Sequence, residues 1–92
     1  MAQVTVTIGG VSRAAVFSWN QEMKPLVDMG GGSFATAFES PAGVFLYSIV
    51  LFGSPNDPWT GVVTDGTTTH NHAGHMSPGG NDTTGDTAFG VS

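Results

Sequence analysis

The residues of this chain best suited to chemistry gather in one stretch, His70-Asn71-His72-Ala73-Gly74-His75. Residues i and i+2 of a strand project to the same side, so His70 and His72 can offer two imidazoles to one ion. Gly74 permits a bend that would bring His75 round as a third ligand. Three neutral imidazoles suit zinc, copper or nickel, with a water or a carboxylate completing the shell. A solvated, histidine-bearing loop accounts for the same residues, because the outer hydrogen-bond partners that orient a metal-bound imidazole cannot be read from sequence.

A second group of donors follows at residues 79–86, Gly-Gly-Asn-Asp-Thr-Thr-Gly-Asp. Asn81, Asp82 and Asp86 place oxygen ligands between small residues, which suits calcium, the less favoured of the metals considered. The stretch occurs once, whereas glycine-rich calcium repeats work by stacking copies, and it has neither the closing Glu nor the flanking helices of an EF-hand. Asx turns, in which Asn81 and Asp82 bond their own backbone, explain the same residues. Trp59 stands beside Asn56, Asp57 and two prolines. There a sugar ring can stack on the indole while the amide and carboxylate bind its hydroxyls, although burial is the ordinary fate of tryptophan. Trp19 ends an apolar strand face and reads as core; Trp59 reads as the site. Ser77 lies near His75 and several aspartates, yet no nucleophile-elbow context is present, so the expected protein is not an enzyme.

The elements that must position these groups are strands. Val44-Phe45-Leu46-Tyr47-Ser48-Ile49-Val50-Leu51-Phe52, bounded by Gly43 and Gly53, reads as a central strand covered on both faces. Val4, Val6 and Ile8 alternate with Thr5 and Thr7, and Gly9-Gly10 suggests a two-residue hairpin into residues 11–19. That pairing would put Arg13 on an apolar face, with its stem along the sheet and its head at the rim, or paired with a carboxylate. Residues 20–32 read as a connection, with a helical turn at 21–24 or a short edge strand at 26–28 as options. Phe34, Thr36 and Phe38 mark a third strand. Asp65-Gly66 is the strongest hairpin signal, and a two-residue turn there sets His70 opposite Gly61 and His72 opposite Trp59, on one face with Val63. Residues 73–86 read as loop and 87–91 as a closing strand. The sum is one domain over residues 1–92, an all-β antiparallel sandwich of immunoglobulin or fibronectin type III size with six to seven short strands, lacking the Cys…Trp…Cys signature of antibody domains.

Composition narrows the partners. Two basic residues stand against seven acidic ones, for a net charge of −5, which disfavours nucleic acid and anionic membrane surfaces. No stretch is an apolar span, so membrane insertion is not expected. The absence of cysteine excludes disulfides and thiolate sites. The first residues enter a strand pattern at once, without a signal peptide, as in a chain that stays cytoplasmic at synthesis or a mature extracellular form. Only 10 % of residues are charged, against about 25–35 % of a usual surface, so Thr, Ser, Asn and Gly must cover the outside. Such a surface suits neutral ligands or copies of itself. The leading expectation is a lectin-like module binding a neutral ligand such as a glycan through Asn56, Asp57, Trp59, Asn81, Asp82 and Asp86. The alternatives are a self-assembling structural protein, a homo-oligomer, filament or shell component, and a metal-binding module built on His70, His72 and His75.

Overall fold

The computed structural model describes residues 2–19 and 22–91, and every regular element among them is a β-strand. In chain order these are β1 (Ala2–Gly9), β2 (Ala14–Trp19), β3 (Glu22–Pro25), β4 (Val27–Gly30), β5 (Ser33–Ser40), β6 (Gly43–Phe52), β7 (Pro58–Thr64), β8 (Thr69–His75), β9 (Asn81–Thr83) and β10 (Thr87–Val91). They form two antiparallel sheets, sheet A in the order β4-β5-β1-β7-β8 and sheet B in the order β10-β6-β2-β3, with β9 also paired to β6. This is the expected small sandwich. The strands beyond six or seven are the short ones: β3 and β4 occupy the expected connection, whose possible helical turn is extended from residue 22 on, with residue 21 outside the described residues. β9 lies inside the expected loop.

Alternation decides what faces inward. Val4, Val6 and Ile8 of β1 are fully buried, as are Phe17, Ile49 and Leu51 across the gap. Aromatic rings fill one half of the interior, with Phe17 stacked on Tyr47 at 5.1 Å and Phe45 against Phe89 at 5.4 Å. Two buried corners let the chain change sheets: Leu26 between β3 and β4, and Met76 between β8 and β9.

Three local expectations are corrected. β1 and β2 do not form a hairpin, because they belong to different sheets. Gly10, at φ 84°, begins an arch whose backbone passes so close to β7 that a Cβ there would lie 2.5 Å from the Pro58 carbonyl oxygen. The arch donates Val11 N–H to Gly32 O and Arg13 N–H to Phe52 O, both at 3.1 Å, so its polar groups are satisfied from both sheets. Val11 closes the end of the core, and Arg13 is exposed on the arch instead of interrupting an apolar face.

The β7–β8 hairpin forms, but through four loop residues, with Thr64 opposite Thr69. Asp65 Oδ1 accepts the N–H groups of Thr67 and Thr68 at 2.9 and 2.6 Å, and that side-chain cap favours the longer loop over a two-residue turn. The register moves by two residues, which keeps every side chain on its expected face. His70 now opposes Val63 and His72 opposes Gly61.

The central strand β6 is covered on one face only. Phe45, Tyr47, Ile49 and Leu51 point into the core, whereas Val44, Leu46 and Phe52 point outward and are 77, 57 and 39 % exposed. An unbroken apolar run signals two apolar faces, and nothing in the described chain lies over the second.

Candidate functional site

Tyr47, the chain's single tyrosine, projects from the inner face of β6 across the sandwich to β8. It is 1 % exposed, and its hydroxyl lies 2.5 Å from His72 Nε2 and 3.4 Å from His70 Nδ1. Both histidines are there because alternate residues of β8 face inward, and both are half-buried. Phe89 of β10 meets the His70 ring edge-on at 4.9 Å and walls one side. Burial pushes the Tyr47 phenol up to about 12, a hydrogen bond with Thr87 offsetting part of the rise. Burial, and then the neighbouring His70, hold His72 below the ordinary imidazole range. Tyr47 and His72 are therefore both neutral near pH 7, and one polar contact ties sheet B to sheet A.

The third histidine does not join them. β8 runs straight to His75, which pairs with Pro58, is exposed and lies on the outer face of sheet A by the same alternation. Gly74 makes no bend. A Cβ at that position would meet Asp82 Oδ2 at 2.9 Å and Trp59 Nε1 at 3.0 Å, so its glycine leaves room for a contact between those two side chains. Among the described residues, no three His, Cys, Asp or Glu side chains cluster as metal ligands.

That contact relocates Trp59. The indole is buried at 4 % exposure and donates Nε1–H to Asp82 Oδ2 at 2.7 Å. Trp59 is thus a core residue with no free face for a sugar ring, and the Asp82 carboxylate is occupied in satisfying it. Trp19, expected to be core, is the more exposed of the two, partly buried against Phe38 with ring centroids 4.5 Å apart. The β6–β7 and β8–β9 loops do meet at one end, through Gly53 N–H to Gly80 O at 2.9 Å and Met76 N–H to Asp57 O at 2.8 Å. They bring Asn56, Asp57, Asn81 and Asp82 to that end. Asp86 is separate, in the break between β9 and β10. The Asn81 and Asp82 side chains are engaged by other side chains and not by the Asx turns expected of them: Ser77 Oγ donates to Asn81 Oδ1 at 3.0 Å, and Asp82 accepts from Trp59.

Comparison with protein-family models, curated proteins and solved structures finds no match to this chain.

Counting chemical residues overlooks an apolar feature of the surface. Residues opposed across a ladder share a face, so the outward row of β6 continues into Val16 of β2, Pro25 of β3, Thr83 of β9, and Ala88 and Gly90 of β10. Met23 extends it at 71 % exposure, and the described residues that alternate onto this face from the strands are uncharged; a carboxylate, Asp82, borders it at the Phe52 end. At the Phe52 end it dips into a shallow groove of about 380 Å³ lined by Val50, Phe52, Ser77, Asn81, Asp82 and Thr83. Its signal in the sequence is the lack of alternation in residues 44–52.

Proposed function

We propose that this chain is a non-catalytic structural module that associates with a second copy of itself through the outer face of sheet B. The observation that carries the reading is the row Val44, Leu46, Ser48, Val50, Phe52 along the central strand, apolar and open to solvent on either side of one serine. Exposed apolar patches larger than a few hundred Å² are uncommon on monomers and mark docking sites. Four strands abreast at ~4.8 Å spacing and ~3.3 Å per residue give a footprint of roughly 500 Å². Two such faces meet the ~1,000 Å² total of a specific interface.

Charge argues for a copy of the same chain as the occupant. Each copy carries a net charge of −5, so a contact between copies is least opposed along the apolar row of β6, which itself bears no carboxylate. The row is also nearly symmetric about Ser48. A two-fold axis there sets Val44 of one copy near Phe52 of the other and Leu46 near Val50, the self-complementary contact that a symmetric dimer requires. Two sheets meeting in this way add a further sandwich layer about 10 Å away. The glycan reading loses its stacking platform with Trp59 buried, and no specific observation favours it over assembly.

Size-exclusion chromatography with light scattering over a concentration series tests the proposal, with a dimer expected. Because the chain has no cysteine, Ser48→Cys adds one unique thiol. A short bis-maleimide should then join two chains across the axis in high yield. A strictly monomeric protein at high concentration, with no crosslinked product, rejects the reading.

A further inference from the structure

The donors that do converge in this molecule are Tyr47 Oη, His70 Nδ1 and His72 Nε2. They differ from the three histidines that spacing alone suggests, because strand parity sends His75 to the opposite face while bringing Tyr47 across from the other sheet. In a tetrahedral site with metal–nitrogen bonds of about 2.0–2.1 Å, neighbouring ligand atoms lie ~3.4 Å apart. The separation of Tyr47 Oη and His70 Nδ1 is 3.4 Å. The 2.5 Å between Tyr47 Oη and His72 Nε2 is a hydrogen bond, and exchanging its proton for a larger ion requires the pair to open by under about 1 Å. His72 sits on an edge strand, with β8 hydrogen-bonded to β7 alone, so this opening does not break a second ladder.

We propose that Tyr47, His70 and His72 form a binding site for a divalent transition-metal ion of the zinc and copper class, with water as the remaining ligand. As the ion enters, bonds form from the metal to the phenolate oxygen and the two imidazole nitrogens, the Tyr47 O–H bond breaks, and its proton passes to bulk water. No oxidation state changes. Phe89 shields one side of the His70 ring, and the half-exposed edges of the histidines leave a path from solvent. The site lies between the sheets, apart from the outer face of sheet B, so it does not depend on self-association.

Calorimetric titration with zinc chloride, and visible spectroscopy on titration with copper sulfate, test the assignment on the whole chain. One ion should bind per chain, and His70→Ala or His72→Ala should weaken it by about tenfold or more. Tyr47→Phe should abolish the phenolate-to-copper charge-transfer band, while His75→Ala leaves affinity and band unchanged. Circular dichroism of each variant separates lost ligation from lost fold, and the His75→Ala and wild-type measurements remain decisive if the Tyr47 variant unfolds. Absence of wild-type binding, absence of the copper band, or an equal loss in His75→Ala overturns the proposal.

Discussion

The two sheets share one core but differ along the outer rows of their central strands. On the outer face of sheet A, Thr5 of β1 lies between Ala37 and Thr64, whose hydroxyl bonds that of Thr69 at 3.0 Å, and Thr7 lies between Ala35 and Val62, with exposed Val27 farther out on the edge strand β4. On the outer face of sheet B, the equivalent central row is Val44, Leu46, Ser48, Val50 and Phe52. Both central strands alternate with the same period and bury their inner residues equally well. The contrast teaches that burial on one side does not determine the other side. A threonine row is compatible with water, whereas an aliphatic row on a central strand is apolar surface that the described residues leave uncovered.

The most severe way to break this contrast is to give both faces the same charge. Leu46→Glu should weaken self-association by about 100-fold, equivalent to ~2.7 kcal/mol, as measured by sedimentation equilibrium. Thr5→Glu, at the matching place on sheet A, should leave the dimer constant unchanged. Equal effects of the two substitutions would erase the distinction between the faces.

A second substitution separates the faces from the fold that carries them. Asp82→Ala removes the acceptor of the buried Trp59 N–H and with it a side-chain tie between β7 and β9. Chemical denaturation should show a loss of about 2 kcal/mol, the usual cost of an unsatisfied buried donor. Dimerisation of the folded fraction should persist, since the Asp82 carboxylate is engaged by Trp59 and the apolar row of β6 is untouched.

A third effect is expected on pH dependence in chelator-treated protein. His72 titrates lower in the folded chain than its ordinary 6.5, so its contribution is complete above that value and declines as pH falls below it. Tyr47 titrates at about 12 when folded against 10 when free, so its contribution is complete below pH 10 and is lost as pH rises toward 12. Thermal unfolding should therefore be most favourable to the native state between these limits, and Tyr47→Phe should remove the alkaline decline. A dimer constant that followed the same curve would place the Tyr47 group at the interface and not between the sheets.

Much of the architecture was legible because it rests on local rules. Period-two alternation located β1 and β5, glycine and proline bounded β6, the Asp65-Gly66 signal marked the turn after β7, and the shared face of His70, His72 and Val63 survived a two-residue shift in register because side-chain direction depends only on parity. The sites were less legible. Gly9-Gly10 is equally good chemistry for a hairpin and for an arch, and the choice between them rests on contacts with Gly32, Phe52 and Pro58, remote in sequence. Asn56, Asp57 and Asp82 were marked by composition, but Trp59 was drawn into the core by a carboxylate 23 residues away.

By itself, the order of residues determined that this chain makes a two-layer β-structure with a sparsely charged, hydroxyl-rich exterior and no thiol chemistry, since propensity, alternation and composition are properties of short windows. Tertiary structure alone decided which donors meet and which apolar face remains open. Tyr47 reaches His72 only because two sheets stack, His75 is excluded only because β8 continues straight, and the outer row of β6 is exposed only because every other strand was used to build the two sheets and close the core between them.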